Sequence, residues 1–503
     1  MQPSMFNVRV PLPDRDEVFL MNTFTDAQLL VSTDVVSLLD SVERRDPSSP
    51  RFSDEEAQAV ELLTNHGFIV RDRASERADL DAFFHDFRER TDQLRVTVLT
   101  TLQCNFACDY CIQGDHGDYN KHAHKMSMET AAELAAWVEA RLDALKPSSL
   151  ALTFFGGEPL LNLPVIYYLS ERLAQACAAR GTTPQINIIT NGLLLTPEIV
   201  AKLKPFGLNG VKITLDGDKD THDRMRPLRG GQGTFDRIVK NIRAVAGQCR
   251  IAIGGNFDAD SVDSYPALLD FLKDQDFASD ISKVAFKPVI KPPAPSEPQK
   301  PKGFIQLTLV SDHASSKPLG GTCMTAAGTA VNRDKSREAQ QHEHQHAQQQ
   351  KATSACDSCH FADDKMAFLR DETRKRGFPT IDGVHMGPCE LHRRHAHTIG
   401  PDGALYACPG FAGETSLAVG DLKGHVTASH QRAGQEYERL SPWKACGDCS
   451  FMPVCGGGCS VAAHTELGDM HAPNCHKRSF EAGVVSLAEQ AVLHAAADAA
   501  ARA

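Results

Sequence analysis

Three cysteines are closely spaced in the segment TLQCNFACDYCIQG. Cys104, Cys108 and Cys111 have the pattern C-x3-C-x2-C and follow an apolar, β-branched run, LRVTVLTTL, which predicts a buried strand. A structural zinc site normally has four Cys or His ligands, whereas a [4Fe–4S] cluster with three thiolates leaves one iron open. The loop therefore predicts a metal centre with a free coordination position. A zinc knuckle and three idle thiols remain as alternatives.

A second motif follows on the next predicted strand, where SLALTFFGG leads into GGEPLL. Gly156 and Gly157 allow the backbone to approach a neighbouring group closely. The carboxylate of Glu158 can accept a hydrogen bond from an ammonium group. The alternative is an ordinary turn between a strand and a helix with a solvated glutamate.

Polar residues also end the later predicted strands. They are Thr190 and Asn191 in TNG, Asp216 in TLDG, Arg226 in HDRMRP, and Asn256 in GGN. Each could equally serve as a helix cap or turn residue. Their shared position predicts a site built from the loops at one end of a sheet.

The elements that position these residues alternate between strands and helices from residue 93 onward. Six apolar runs, from LRVTVLTTL to SKVAFKPVI, are separated by helical stretches such as SMETAAELAAWVEARLDAL. This alternation predicts an α/β fold with a parallel sheet. Six strands are too few for a full eight-stranded barrel, so we expect a partial (β/α)6 TIM-type barrel over residues 93–300, with its functional loops at the carboxyl ends of the strands.

The two motifs together resemble those of radical S-adenosylmethionine (SAM) enzymes: CNFACDYC resembles their CxxxCxxC signature and GGE their SAM-binding glycines and glutamate. The resemblance implies that Cys104, Cys108 and Cys111 hold a [4Fe–4S] cluster whose open iron chelates SAM. It implies that Gly156, Gly157 and Glu158 hold the SAM amino group. Further SAM contacts are implied for Thr190, Asn191, Asp216, Arg226 and Asn256. Reductive cleavage of SAM would then give a 5′-deoxyadenosyl radical, with a flavodoxin or ferredoxin as the reductant.

Residues 386–480 contain seven more cysteines, in a pattern that resembles the SPASM domain appended to some radical SAM barrels. The spacing is C-x13-G-x4-C, then C-x2-C-x5-C-x3-C, then one further cysteine. The resemblance implies two auxiliary [4Fe–4S] clusters. One would take Cys446, Cys449, Cys455 and Cys475, and the other would take Cys389, Cys408 and Cys459. A zinc ribbon is the alternative.

The second of these ligand sets lacks a fourth cysteine. The candidates are an open iron, a histidine such as His392 or His395, or a distant cysteine among Cys323, Cys356 and Cys359. The last three lie in residues 301–385, a linker with a polar, low-complexity stretch that includes His342, His344 and His346. This insert could bind a metal of its own or carry incidental thiols.

The two ends of the chain differ in composition and in predicted structure. Residues 1–92 predict short strands and capped helices, which together resemble a winged-helix-like element that recognises the leader of a precursor peptide. In such elements the peptide adds a strand to the sheet. The alternative is a structural cover for the barrel. Residues 481–503 are rich in alanine and predict a closing helix.

Bulk properties limit the remaining possibilities. The chain has 503 residues, 42% hydrophobic and 23% charged, with a net charge of −11. This acidic balance gives no support to nucleic-acid binding. Neither a secretory signal nor an apolar run long enough to span a membrane is evident, so we expect a cytoplasmic protein with reduced thiols. Its 15 cysteines then suggest metal binding rather than disulfides.

The combined pattern predicts a radical SAM maturase that modifies a ribosomally made precursor peptide (a RiPP), by a crosslink or a similar change. Sulfatase activation is less favoured. In the related enzymes an Asp that acts as a base follows the second SPASM cysteine, whereas Pro409 follows Cys408 in this chain. Action on another protein, a small molecule or a sugar remains an alternative. A non-catalytic zinc-binding scaffold is the alternative of a different class.

Overall fold

A computed structural model describes residues 1–43, 52–111, 124–290, 361–381, 384–385 and 387–502. The predictions for Cys323, Cys356, Cys359 and the histidines at 342, 344 and 346 lie outside these ranges. Within them, no helix is long and apolar enough to cross a membrane.

Strands and helices are numbered here in chain order within the described residues. The strands are β1 Gln2–Pro3, β2 Asn7–Leu12, β3 Glu17–Asn22, β4 Gln28–Ser32, β5 Ile69–Val70, β6 Gln93–Thr101, β7 Ser149–Gly156, β8 Thr183–Thr190, β9 Leu208–Thr214, β10 Arg250–Phe257, β11 Ile281–Pro288, β12 Ala396–Ile399, β13 Ala404–Tyr406 and β14 Gly420–Asp421. The helices are α1 Thr33–Ser41, α2 Asp54–Asn65, α3 Arg73–Glu89, α4 Met128–Leu145, α5 Leu163–Ala178, α6 Pro197–Leu203, α7 Lys219–Met225, α8 Phe235–Val245, α9 Tyr265–Lys273, α10 361–375, α11 Ala428–Arg439, α12 Met452–Cys455, α13 Ser460–Leu467 and α14 Lys477–Arg502.

Six parallel strands, β6 to β11, form the centre of the molecule in the order of the sequence. Side chains alternate along each strand, so that Leu94, Val96 and Val98 of β6 lie in the core beneath the helices, and their neighbours face the opposite side. The predicted α/β class with a six-stranded parallel sheet is confirmed. All six strands run in the same direction, so their carboxyl ends and the loops that follow lie at one edge.

Later segments of the chain contact both edges of this parallel sheet. Strand β12 pairs in parallel with β6, and β13 and β14 continue from it in antiparallel order. At the other edge, the backbone N–H of Val284 in β11 donates to the carbonyl of Pro379 at 2.8 Å. Sequence analysis did not predict this extension, because three strands of two to four residues have too little periodicity to be recognised.

The N-terminal residues form a three-stranded antiparallel sheet in the order β2-β3-β4. Its middle strand is buried on both faces: Leu20 packs with α1 and α2, and Phe19 and Met21 pack with α14. Helix α2 begins at the predicted cap, where Ser53 and Glu56 form a reciprocal capping box. Strand β4 and helix α3 were not predicted, and the assignment of 1–92 as a winged-helix-like domain stays a prediction.

Helix α3 joins the N-terminal residues to the cysteine-rich region. The Phe84 ring stacks on the Trp443 indole with centroids 3.8 Å apart, and both side chains are buried. Arg88 extends the contact by donating to the carbonyl of Leu440 at 2.8 Å. The last helix, α14, begins at Lys477, four residues before the predicted start, and its first turn packs the Phe480 ring against Phe451.

We predict that Phe84→Ala destabilises this junction by about 3–5 kcal/mol, because it removes a buried aromatic ring and leaves a cavity beside Trp443. Denaturant unfolding, followed by Trp443 fluorescence, measures the change. The matched control is Leu62→Ala on α2, where the side chain is 49% exposed and a change within about 0.5 kcal/mol is expected. Equal stability of the two variants would contradict the prediction.

Candidate functional site

The three-cysteine loop lies at the carboxyl end of β6, where it is fixed by the segment that follows α7. The N–H of Ala107 donates to the carbonyl of Pro227 at 2.9 Å, and the Arg229 guanidinium donates to the carbonyl of Cys104 at 2.9 Å. Cys108 is buried, whereas Cys104 and Cys111 are half-buried. The loop therefore holds its thiols inward, at the edge where all six parallel strands end.

Burial controls the protonation of these thiols. It raises the pKa of Cys104 to about 12 and that of Cys108 to about 11. The neighbouring thiol of Cys108 raises the pKa of Cys104 further, and that of Cys111 does the same for Cys108. Arg226 acts in the opposite direction on both groups. The thiols of Cys104 and Cys108 are thus protonated at neutral pH, and metal binding must displace their protons.

Gly156 and Gly157 bring the end of β7 into direct backbone contact with the cysteine loop. A Cβ atom on Gly156 would lie 2.2 Å from the carbonyl oxygen of Thr101, and one on Gly157 would lie 2.2 Å from that of Gln103. Two hydrogen bonds fill the same space: Gly157 N–H donates to Thr101 and Glu158 N–H donates to Gln103, each at 2.9 Å. No residue with a side chain fits at either glycine without moving the loop.

Glu158 is completely buried and joins the ends of two strands. Its Oε1 accepts from the Thr190 hydroxyl at 2.7 Å and the Leu160 N–H at 3.0 Å, and its Oε2 accepts from the Asn191 N–H at 2.8 Å. Burial raises the pKa of Glu158, and these three hydrogen bonds oppose the change. Each carboxylate oxygen has two acceptor positions, so Oε2 keeps one for a further donor.

Asn191 continues this connection to the cysteine loop. Its side-chain amide donates to Oδ1 of Asn105 at 2.7 Å, and its own Oδ1 accepts from the Leu193 N–H at 3.0 Å. Asn105 lies between the first two cysteines of the loop. The predicted residues Thr190 and Asn191 are therefore brought together with Glu158, through the protein's own hydrogen bonds.

A second buried group connects the cysteine loop to β9 and β10. Asp216 is fully buried; its Oδ2 accepts from the Tyr110 hydroxyl and, at 3.4 Å, from Arg226, and its Oδ1 accepts from the Asn256 N–H at 2.7 Å. Arg226 also donates to the Tyr110 oxygen, while its Nε is buried without a partner among the described residues. Asp216, Arg226 and Asn256 thus come together, but they bind one another, and of their buried side-chain donors in the described residues only the Nε of Arg226 stays without a partner.

Sequence reasoning missed the role of Tyr110 and of His222. Burial raises the pKa of Tyr110, which keeps its proton for Asp216. His222 is buried beneath this group, where its Nδ1 accepts from the Asp216 N–H at 3.2 Å. An aromatic residue between two cysteines was visible in the sequence, but its hydroxyl partner 106 positions away was not.

The C-terminal cysteines fall into two groups. Mutual effects on their pKa values place Cys389, Cys408 and Cys459 together, and Cys446, Cys449, Cys455 and Cys475 together. Burial raises the pKa of Cys408 and of Cys455 to about 12. All twelve cysteines of the described ranges are free thiols.

Two histidines follow Cys389 within six residues. His392 is buried against Trp443, with ring centroids 5.2 Å apart, and neither of its ring nitrogens has a partner within the described ranges. His395 lies near Arg141 of α4. Across those ranges no three His, Cys, Asp or Glu side chains converge on one point that would hold a single metal ion. The thiols of an iron–sulfur cluster, by contrast, bind different irons and need not converge.

Comparison with known proteins gives matches to the central part of the chain. A family model of the Radical SAM superfamily matches residues 98–251. The GTP 3′,8-cyclase of Synechococcus sp. (strain WH7803) is 31% identical over 146 residues, which cover 28% of this chain and 39% of that protein. The serine-type anaerobic sulfatase-maturating enzyme of Bacteroides thetaiotaomicron is 29% identical over 141 residues, which cover 28% of this chain and 33% of that protein.

A solved structure has a similar fold over a larger part of the chain. Native anSMEcpe with bound AdoMet (SAM) and Cp18Cys peptide has a TM-score of 0.53 at 14% sequence identity, covering 81% of this chain and 99% of that one. This similarity concerns the fold alone. The match to the family model, in which the three cysteines and the GGE motif lie, identifies the segment 98–251 of this chain as a radical SAM domain.

Proposed function

We propose that this protein is a radical SAM maturase that modifies a peptide. The observation that carries the proposal is the convergence of Cys104, Cys108, Glu158 and Arg226, because the carboxylate and the guanidinium both act on the pKa of Cys104. When bound, a [4Fe–4S] cluster and SAM supply the 5′-deoxyadenosyl radical that abstracts hydrogen from a substrate. An external one-electron donor, a flavodoxin or ferredoxin, is part of the proposal.

The described residues fit the amino acid part of SAM. The free acceptor position on Oε2 of Glu158 suits an ammonium group. The partnerless Nε of Arg226 suits a carboxylate, and its burial strengthens such a pair. Tyr110 and Asp216 hold the guanidinium in place and offset its charge. These residues would bind and orient SAM and exclude water, and no side-chain base is required.

The two C-terminal cysteine groups support two auxiliary clusters. Cys446, Cys449, Cys455 and Cys475 would hold one cluster completely. Cys389, Cys408 and Cys459 would hold three irons of the other. The peptide class is supported by the fold neighbour anSMEcpe, which was solved with a Cp18Cys peptide, and by the small N-terminal sheet.

That sheet has a suitable edge for a leader peptide. In the described part of the chain β4 pairs only with β3, so one side of β4 has unpaired backbone groups. Strand β2, at the opposite edge, contains Pro11, which lacks an N–H, and Arg9, which forms an ion pair with Asp40 of α1 at 2.6 Å. His385 contacts Asp26 and Gln28 at the start of β4. We therefore place leader binding along β4 after that contact.

Cysteine substitutions test the division into separate centres. Cys108→Ala is expected to abolish 5′-deoxyadenosine formation and to lose about four of about twelve irons per chain. Cys449→Ala is expected to keep some SAM cleavage but to form no modified peptide. Anaerobic reconstitution, iron and sulfide analysis, and chromatography of dithionite reactions measure these changes. Loss of all iron in Cys108→Ala, or zinc without iron in the wild type, would contradict the proposal.

A glycine substitution tests the backbone contact that positions the loop. Gly157→Ala places a Cβ atom against the carbonyl of Gln103, so the loop must shift, and we expect about four fewer irons per chain than in the wild type. The matched control is Gly434→Ala on α11, where an added Cβ meets no atom within 4 Å. Full iron content and wild-type 5′-deoxyadenosine formation in Gly157→Ala would show that the contact is dispensable.

Hydrogen exchange tests leader binding. The precursor encoded by a small open reading frame beside the gene should slow amide exchange in β4 about tenfold or more, because added strand hydrogen bonds protect the edge. Mass spectrometry of peptic fragments measures it. The edge strand β2 and a scrambled peptide serve as controls, and protection confined to any other element would exclude β4 as the binding edge.

A further inference from the structure

Three lysines face the inner side of the parallel sheet. Lys212 alternates with Val211 and Ile213 of β9, and Lys283 precedes Val284 of β11; these three apolar residues lie in the core beneath the helices. Lys212 pairs in register with Ala252, which pairs with Lys283, so both lysines point away from the helices. Lys287 is four residues further along β11 and shares the same face.

Gly254 leaves room for the side chain of Lys212. A Cβ atom on Gly254 would lie 2.5 Å from its Cε and 3.2 Å from its Nζ. Gly254 pairs with Thr214, two residues beyond Lys212 toward the carboxyl end of β9. The side chain therefore lies along the sheet toward the candidate site, in a space that only a glycine leaves open.

Among the described residues the three ammonium groups have no counterion. Within the described residues, no ion pair or hydrogen bond involves the side chain of Lys212, Lys283 or Lys287. Burial, and then the charges of Lys287 and Lys283, lower the pKa of Lys212 to about 8. Lys212 is half-buried, whereas Lys283 and Lys287 are exposed on the edge strand β11. The half-buried position of Lys212 makes its two like-charged neighbours unfavourable for it without an anion.

The surroundings of these lysines connect them to the candidate site. Lys287 pairs with Asn256, whose N–H binds Asp216 in the candidate site, and Lys287 is close enough to Cys408 to lower its pKa. On other strands of the same sheet, Leu99 of β6 and Phe155 of β7 pack with Tyr406. The inner side of the sheet thus has one apolar wall and one cationic wall.

We propose that Lys212, Lys283 and Lys287 bind a carboxylate of the substrate, so that this protein selects an acidic peptide: one with an Asp or Glu side chain, or a free C-terminus, next to an apolar residue. The peptide class rests on the proposed function. The sheet fixes the position of one ammonium group, that of Lys212, which lies against Gly254. A single carboxylate therefore suits the site, and the apolar wall accommodates the neighbouring side chain. A nucleoside triphosphate, with its larger charge, would require more fixed donors.

Chemical protection tests the proposal on the full-length protein, reconstituted anaerobically and saturated with SAM but without reductant. Lysine acetylation by sulfo-NHS-acetate is measured by mass spectrometry with increasing acetyl-FGEGF-amide. The matched probes are acetyl-FGQGF-amide, acetyl-FGQGF with a free carboxylate, and GTP. We expect the Glu peptide to protect Lys212, Lys283 and Lys287 at a concentration about tenfold lower than the Gln amide, because the charge is lost in the latter. Protection by the free carboxylate instead would support the same site with the terminus as its ligand.

Controls separate this site from other binding. Lys240, exposed on α8, should acetylate at the same rate throughout. Lys212→Met should raise the half-protecting concentration for the other two lysines about tenfold, whereas Lys240→Met should not. If Lys212→Met fails to fold, the comparison of the Glu and Gln peptides on the wild-type protein still tests the proposal.

Three outcomes would overturn the proposal: equal protection by the Glu and Gln amides, protection by GTP alone, or full protection by SAM before any peptide is added. Reductant is absent, so the result does not depend on SAM cleavage. A protein that never forms 5′-deoxyadenosine but shows charge-dependent protection would refute the proposed function and leave the carboxylate site standing.

Discussion

The burial of one carboxylate, that of Glu158, is the constraint on which the site depends. A buried carboxylate is stable only where hydrogen bonds replace its lost water, and Thr190, Asn191 and Leu160 provide three. Thr190 is the last residue of β8, Asn191 follows it, and Leu160 lies in the turn after β7. The β7–β8 ladder ends at Phe154 and Ile188, so the carboxylate connects these two strands beyond their last paired residues and fixes the loops against one another.

The two glycines before Glu158 are the second half of this constraint. The backbone at the end of β7 contacts that of residues 101–103 directly. This contact fixes the distance between the cysteine loop and the end of β7. Asn191 then links Glu158 to Asn105 within the loop. The position of the cysteine loop is thus fixed by side-chain hydrogen bonds on one side and by backbone contact with β7 on the other. The protein's own residues make both kinds of contact.

The sequence predicted the parts of this arrangement that are local. Apolar runs separated by helical stretches identified all six parallel strands, and the cysteine spacing and the GGE motif identified the loops that converge. It could not show that Asp216 and Arg226 already bind each other and Tyr110, because the occupancy of each lone pair depends on tertiary contacts. Strand β4 and strands β12 to β14 were missed for a related reason: their residues are ordered by partners distant in sequence rather than by a pattern of their own.

An open sheet of six parallel strands leaves two edges that must be covered, and in this protein later segments of the chain contact both. Strand β12 pairs with β6, and the carbonyl of Pro379 accepts from β11. Residues 387–480, which include β12, carry the seven later cysteines, so the pairing of β12 with β6 also fixes their position relative to the first three. Lys287 of β11, on the opposite edge strand, acts on the pKa of Cys408. The pairing that covers one edge of the sheet therefore also brings a later cysteine close to the strand at its other edge.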